Sequence, residues 1–409
     1  MKITKLSLVA IAAMTLTTGA MAEGSDGMDF KTTGQAVVYY QTMDGGERDL
    51  FDQNGANANA GVQIDLNGEV NGLSVGLQGS AVSTLGLEGN LVDGVMQSGL
   101  GNMGDTANAG DYFGLTQAHF GKKIGNTQLK LGRQELPKSL SPFAFSEGWN
   151  VFKNTFDAAL AINSDLPDTT LVGAYVSRAN SHGDLSTFGY VNPETDSAGQ
   201  GKGVYMLTAQ NKSIDGVTLT GSYYDAESYA KVMWLDANIK LAGLPVGFAL
   251  QGGQINPDAA GLDSTTAMGA KVSGKAGSAA LSLAYSSVDD GAVAAHNLGT
   301  GVKTPLYTQM VLNQWAIKKD NDTFVLKAVM PVGAGKLITQ YGMTTAEKTN
   351  ILGDGNDYQE LDVMYKFNLL GGKTFAGYIM RKADKKTAAA LMGGDDTNNV
   401  IRLWTRYNF

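Results

Sequence analysis

The amino-acid sequence predicts an all-β fold, a closed antiparallel β-barrel whose strands cross a membrane. Three observations support this prediction. Apolar and polar residues alternate along most of the chain, short and long connections alternate between these segments, and no later apolar run reaches the roughly 18 residues of a membrane helix. Gly accounts for 53 of 409 residues and charged side chains for 17%. Such a composition favours strands with an uncharged polar face over helices.

Residues 62–81 (VQIDLNGEVNGLSVGLQGSA) show the alternation most clearly. Apolar side chains occupy alternate positions on both sides of Asn71-Gly72. A period of two places successive side chains on opposite faces of a strand, and Asn-Gly tolerates the positive φ angles of a tight hairpin turn. The segment is therefore predicted to be a hairpin with one apolar and one polar face. The same alternation recurs in three further segments: 217–223, 235–241 and 360–367.

The lengths of the connections separate a membrane barrel from a soluble sandwich. Eight predicted connections are short: 71–72, 122–126, 164–169, 213–216, 242–245, 275–277, 333–335 and 368–372. Nine others alternate with them and are long and polar, except 226–228: 44–59, 84–110, 135–153, 179–202, 226–228, 256–265, 289–321, 345–357 and 383–398. Short periplasmic turns and long extracellular loops are typical of outer-membrane barrels. These connections join eighteen strands, with sixteen and twenty as the alternatives.

The apolar face is predicted to lie outside. In water, so many apolar strand faces would need a second layer, and the long loops are too polar to supply one. In lipid they need no cover, and closure removes the unpaired sheet edges. We therefore expect a polar, mostly uncharged face around the lumen. At the C-terminus, one set of alternating residues is predicted to face lipid: Ile401, Leu403, Thr405, Tyr407 and Phe409.

The first 22 residues have the pattern of a secretory signal peptide. Lys2 and Lys5 precede a short apolar stretch, and Ala20-Met21-Ala22 provides a small-residue cleavage site. The mature chain, residues 23–409, shows no linker and is predicted to be a single barrel domain. It has no Cys, so no disulfide stabilises this exported protein.

Local motifs carry a resemblance to a known family. The chain ends in Phe409, and residues 113–134 contain Gly114-Leu115, Phe120-Gly121 and Leu131-Gly132-Arg133-Gln134. These features resemble Gram-negative outer-membrane porins, and more narrowly the epsilonproteobacterial major outer-membrane proteins and the substrate-specific porins. The resemblance implies a water-filled channel, commonly a homotrimer, in the outer membrane. It also implies that the barrel-assembly machinery reads the C-terminal Phe, and that the loop after Gln134, residues 135–153, folds into the lumen.

Several charged residues are candidates for the pore constriction. The resemblance implies that Arg133 faces the constriction, whereas strict alternation from Leu129 and Leu131 places it on the lipid side. A bulge would resolve the conflict, and we expect the pore side because an Arg facing lipid costs about 2–4 kcal/mol at mid-depth. The alternative is an Arg at the outer rim. Four further candidates lie in the loop or just after it: Glu135, Lys138, Glu147 and Asp157. Some of these could instead brace the loop by salt bridges.

Charges on the barrel wall complete the predicted site. Nine residues point inward by alternation: Lys130, Lys327, Lys366, Arg402, Arg406, Asp65, Asp236, Glu360 and Asp362. Opposed signs across a narrow lumen would create a transverse field that orients dipolar solutes. A solvated lumen face without a solute role is the alternative for each residue. The outer loops carry a surplus of acids: Asp44, Glu47, Asp49, Asp52, Asp289, Asp290, Asp354, Asp357, Asp395 and Asp396. An acidic mouth concentrates cations, so a modest cation preference is expected.

The sequence thus predicts passive diffusion of small hydrophilic solutes and ions. No enzymatic activity, cofactor, metal site or nucleic-acid partner is expected. The three His residues are scattered and Cys is absent, which argues against a zinc site. The remaining expected partners are outer-membrane lipid and lipopolysaccharide. An adhesin or structural surface barrel is the first alternative function, and a barrel lipase or protease is the second.

Overall fold

The computed structural model describes most of the predicted mature chain: residues 28–99, 111–195, 197, 199–352, 355–383 and 395–409. The predicted signal peptide, residues 1–22, lies outside the described residues, and so does Asp354. Parts of the predicted connections 84–110 and 383–398 lie outside them as well. No helix of the described part of the chain is long and apolar enough to cross a membrane.

Nineteen β-strands and one 3-10 helix, Gln53–Gly55, form the regular structure of the described residues. The strands are β1 (Met28–Met43), β2 (Ala56–Val70), β3 (Leu73–Ser83), β4 (Tyr112–Ile124), β5 (Thr127–Gln134), β6 (Phe156–Asn163), β7 (Thr169–Asn180), β8 (Phe188–Tyr190), β9 (Val204–Asn211), β10 (Val217–Ala226), β11 (Ala230–Ile239), β12 (Val246–Pro257), β13 (Thr265–Ala276), β14 (Ala279–Val288), β15 (Asn321–Val332), β16 (Gly335–Ala346), β17 (Asp357–Leu369), β18 (Gly372–Ala383) and β19 (Thr397–Asn408). Eighteen of them form one closed antiparallel barrel, which confirms the predicted fold class and strand number.

The short strand β8 is an addition to this ring. β7 pairs directly with β9, from Thr169 opposite Asn211 to Val176 opposite Val204. β8 pairs with the last three residues of β7, beyond Val176, where the pairing between β7 and β9 stops. It therefore belongs to the long connection between β7 and β9.

The ring closes where β1 pairs with β19. Gly34 and Phe409 exchange two backbone hydrogen bonds, of 2.7 and 3.0 Å. A Cβ atom on Gly34 would lie 2.6 Å from the Phe409 ring, so the glycine lets the terminal aromatic ring lie against the first strand. At the β2–β3 turn, Asn71 and Gly72 have φ angles of 52° and 71°, which confirms the hairpin turn predicted from this pair.

The outer face of the barrel is apolar, as predicted. Alternate residues of β5 and β11 are exposed, with Leu131 at 63%, Met233 at 61% and Leu235 at 69%. Residues between them, such as Trp234, are buried on the inner side at 3% exposure. The apolar band therefore faces the membrane, where it needs no protein cover.

The inner face departs from the prediction along one sector. From β6 to β14 it carries apolar side chains, among them Val176, Val232 and Ile255, where a polar lining was expected. Apolar residues of two long loops cover this sector, including Phe143 and Ile317. The expectation was wrong here because the loops do supply a second apolar layer, and it hides this part of the wall from water.

Candidate functional site in the barrel lumen

Loop 135–155, which joins β5 to β6, enters the lumen and contacts the wall at β10 and β11. The Phe143 backbone N–H donates a hydrogen bond to Tyr224 Oη at 3.2 Å. The Phe143 ring makes edge contacts with Tyr224 and Trp234, with centroids 5.7 and 5.2 Å apart. Burial of these three aromatic rings holds the part of the loop around Phe143 against the wall.

The same loop also contacts the opposite wall, at β1 and β19. Arg406 donates to the backbone carbonyls of Asn150 and Val151, each at 2.6 Å. Tyr39 Oη donates to the Trp149 carbonyl at 3.1 Å. Because β1 and β11 lie on opposite sides of the ring, loop 135–155 spans the lumen. The predicted folding of this loop into the barrel is thus seen in the structure.

Loop 289–320, between β14 and β15, also folds inward and is fastened to the first loop by Glu147. Glu147 Oε1 accepts hydrogen bonds from Asn297 Nδ2 at 2.8 Å, from Thr300 Oγ1, and from the Lys303 backbone at 3.1 Å. Its Oε2 accepts from Trp149 Nε1 at 2.7 Å. The residue is only 4% exposed. Four donors thus compensate a buried carboxylate, which holds the two loops together.

Lys303 is a second fastening point within loop 289–320. Its ammonium donates to the carbonyls of Met310 and Val311 at 3.0 and 2.7 Å and to Gln314 Oε1 at 3.1 Å. Burial lowers the pKa of Lys303 to about 8, and the nearby carboxylate of Glu360 opposes this shift. This role of Lys303 was not predicted from the sequence.

A third group joins the loops to the wall at β11 and β13. Lys138 Nζ donates to the Thr304 carbonyl at 2.9 Å, and Tyr307 Oη donates to the Asp236 carboxylate. Lys271 Nζ lies 4.4 Å from the centroid of the Tyr307 ring. Burial, together with the hydrogen-bonded carboxylate of Asp236, raises the pKa of Tyr307. Lys138 itself stays exposed to solvent.

Of two predicted carboxylates on β17, Glu360 anchors loop 289–320 and Asp362 is bonded to the neighbouring strand β16. Glu360 accepts hydrogen bonds from the Leu312 backbone at 2.8 Å and from Tyr358 Oη at 2.5 Å. Asp362 accepts from Gln340 Nε2 at 2.5 Å. Glu360 and Asp362 are 1% and 0% exposed. Both side chains point inward, as alternation along β17 predicts, and loop 289–320 lies over this part of the wall, so neither is exposed to the open lumen.

The inner wall from β13 to β19 carries a sector of cations, which we call the basic arc. Its members are Lys271, Lys327, Lys366, Arg381, Arg402 and Arg406. Arg402 is buried and donates through Nε and Nη2 to Gln41 Oε1 at 2.9 and 2.7 Å, whereas Lys366 is exposed. Lys271 and Arg381 were absent from the predicted site, although alternation along β13 and β18 would have revealed their inward direction.

An acidic group lies on the inner wall near β2 and β5, and β5 is opposite β15 of the basic arc in the ring. Glu135 forms a salt bridge with Lys153 at 2.5 Å, which closes the base of loop 135–155. Asp65 accepts a hydrogen bond from Gln78 Nε2 at 2.7 Å. Lys130 lies on the neighbouring inner face of β5, and each of these residues keeps partial exposure. Among the described residues, no cluster of three or more histidine or carboxylate side chains could hold a metal ion.

Arg133 and Asp157 lie on the outside of the barrel, contrary to the prediction that they line the pore. Arg133 has the outward direction of Leu131, and Asp157 is its direct partner on β6. Arg133 Nε and Nη2 donate to the two Asp157 oxygens at 2.8 and 3.2 Å. No register shift interrupts the pairing of β4 with β5 at this point. The pair sits at the upper rim, where an outward Arg costs far less than at mid-depth.

A closed eighteen-stranded membrane barrel with loops folded into a polar lumen defines the class of outer-membrane diffusion channels. The sequence comparison gives the family: the model for the Gram-negative porin family matches residues 8–387. The chain belongs to this family, and it resides in the outer membrane. The narrower resemblance to the epsilonproteobacterial proteins stays a prediction.

Solved structures share the fold. The structure of Pseudomonas aeruginosa OpdK with vanillate aligns with a TM-score of 0.75 at 14% identity, covering 93% of this chain and 98% of that one. P. aeruginosa OccK8 (OprE) gives 0.72 at 14% identity with the same coverage. P. aeruginosa OccK2 (OpdF), solved with glucuronate, gives 0.70 at 12% identity, covering 93% and 96%. No curated protein matches the chain by sequence.

Proposed function

We propose that solutes cross this passive diffusion channel through the part of the lumen that loops 135–155 and 289–320 leave open, past Lys327 and Lys366 of the basic arc. The observation that carries the proposal is the span of loop 135–155 from β10–β11 to β1–β19, which narrows the lumen. The apolar inner sector is covered by the two loops, so polar wall residues border the remaining water. Solvent reaches inward-facing Lys138 and Lys366, which supports such a path.

The placement of charges supports a selective rather than a neutral passage. Lys327 and Lys366 stand on the basic arc, Glu135 stands across the lumen from them at the end of β5, and Asp65 stands on the inner face of β2. A transverse field of this kind orients solutes that carry a separated charge pair and disfavours apolar ones. We propose that these four residues, with Lys130, Asp236 and Lys138, act on passing solutes. Buried Glu147, Glu360, Asp362 and Arg402 hold the loops and the wall in place.

The solute class follows from the same charges. Two related structures were solved with vanillate and with glucuronate, both carboxylates. A lumen with exposed lysines accommodates such anions, so small hydrophilic carboxylates are the first solutes to test. Liposome-swelling rates should be higher for hydrophilic carboxylates than for apolar solutes of equal size. Equal rates for the two groups would contradict a selective passage.

Charge selectivity gives a quantitative test of the basic arc. The sequence predicts a modest cation preference from the acidic outer loops, and we retain it as part of the proposal. Replacing Lys327 and Lys366 together with Gln should move the reversal potential further toward cations, because two inward positive charges disappear. Planar-bilayer recordings under a salt gradient measure this. In the matched double variant Lys122→Gln/Lys240→Gln, the exposed lysines near the end of β4 and just after β11 are replaced, and the reversal potential should shift much less. Equal shifts would place the two lysines outside the conduction path.

We further propose that the chain assembles as a homotrimer. We also propose that the barrel-assembly machinery recognises Phe409 during membrane insertion. Phe409→Ala should lower the amount of folded, heat-modifiable barrel in cells, while refolding of the purified variant into detergent stays close to that of the unchanged protein. Equal losses in both assays would indicate a purely structural role at the contact with Gly34. Native mass spectrometry tests the trimer.

We also propose that the barrel has no enzymatic function, in keeping with its family. Hydrolysis assays with ester and peptide substrates on the purified protein test this, and turnover above the detergent blank would overturn it. An adhesin role would be indicated by a protein that binds host surfaces but gives no single-channel conductance.

A further inference from the structure

A row of polar residues crosses the outer face of the barrel at the extracellular ends of β5 to β8. Arg133 is paired with Asp157, Asp157 with Arg178, and Arg178 with Tyr190 across consecutive strands. Directly below the row, this face is apolar, as at Leu131. The row therefore lies where the apolar band ends, at the level of the lipid headgroups.

One half of the row is neutral and internally satisfied. The Arg133–Asp157 pair has two hydrogen bonds, of 2.8 and 3.2 Å, and Arg133 Nη1 also donates to the Leu115 carbonyl at 3.3 Å. The Phe188 ring of β8 covers the guanidinium, with 3.3 Å between Arg133 Cζ and the ring centroid. Arg133 thus has few donors left for a ligand.

The other half of the row presents a cation without a matching anion. Arg178 is exposed, and within the described part of the chain its one hydrogen bond runs from Nη2 to Tyr190 Oη at 2.8 Å. Its Cζ lies 4.6 Å from the centroid of the Tyr190 ring. Among the described residues, no carboxylate lies within salt-bridge distance of Arg178. The tyrosine therefore orients an exposed guanidinium at the level of the headgroup layer.

We propose that Arg178, oriented by Tyr190, binds the phosphate group of an outer-leaflet glycolipid. A planar guanidinium matches a phosphate in charge and can offer it two parallel N–H donors. The aromatic rings of Tyr190 and Phe188 suit the boundary between sugar headgroup and acyl chains. Asp157 is already neutralised by Arg133, so its charge does not repel the phosphate. The row thereby serves as a lipid site that is separate from the lumen.

Native mass spectrometry of the full mature protein in detergent tests the site, with diphosphorylated lipid A as the probe. Arg178→Gln should weaken lipid binding about tenfold, as expected for the loss of a charged hydrogen-bonding partner. Arg178→Lys should restore part of the affinity. The matched control Lys231→Gln removes another rim cation, which is engaged with Asp258 at 2.7 Å, and should bind like the unchanged protein. Single-channel conductance of Arg178→Gln should be unchanged, which verifies folding.

Four results would overturn the proposal. Dephosphorylated lipid A bound as tightly as the phosphorylated form would exclude recognition of phosphate. Equal loss of affinity in Lys231→Gln and Arg178→Gln would indicate general charge attraction instead of a site. A changed oligomeric mass of Arg178→Gln would identify the row as a contact between subunits. Inorganic phosphate should bind far more weakly than lipid A, and equal binding would point to a site for the free ion.

Discussion

Replacing residues 136–154 with a four-residue turn should raise the single-channel conductance roughly twofold or more, since the segment spans the lumen and the open cross-section sets the ion flux. The replacement is feasible because Gln134 and Phe156 are direct partners across β5 and β6, so a short turn can join them. Recordings in planar bilayers at high salt provide the measurement, because screening then removes most of the charge effects.

A matched control separates loop removal from general loosening of the barrel. Shortening the exposed residues 259–262, in the connection from β12 to β13, should leave the conductance close to that of the unchanged protein. A milder variant, Glu147→Gln, retains the side-chain shape but weakens the bonds to Asn297, Thr300 and Lys303. Glu147→Gln should increase the current noise without a twofold rise in the single-channel conductance. Unchanged conductance after loop removal would place the narrowest point elsewhere.

Replacing Leu235 with Arg should destabilise the folded barrel by about 2–4 kcal/mol, because this side chain faces the membrane near the middle of β11. Leu235 is 69% exposed on the apolar face. Urea titration of folding into phospholipid bilayers measures the free energy of unfolding. The matched variant Asn238→Arg places the same charge on the inner face of the same strand and should cost much less. Similar losses in both variants would contradict the assigned inner and outer faces.

The strands and turns could be predicted because their signal is local. Asn71-Gly72 forms the β2–β3 turn as expected, and the short connection predicted at 226–228 separates β10 from β11. Alternation also placed Arg133 correctly on the outside. The prediction that Arg133 faces the pore relied on the family motif and on the free energy that an Arg facing lipid costs at the middle of the membrane. Arg133 instead lies at the rim, where it has a carboxylate partner. Here the period of two was the better guide.

The interior of the barrel could not be predicted because its contacts are distant in sequence and have no period. Glu147 meets Asn297, which lies 150 positions further along the chain, and Phe143 packs on Trp234. Loops lack the period of two from which the direction of a strand side chain can be predicted. The roles of Lys303 and Tyr307 therefore appear only once the two loops are seen together, and the polar lining expected between β6 and β14 was wrong for the same reason.

The carboxylate of Glu147 connects the two inward loops, so that they form one rigid unit across the barrel. Neither loop can swing aside while the other keeps its bonds to this group. Thermal fluctuations of the channel should therefore be concerted, with current traces that jump between two levels instead of drifting through a graded series.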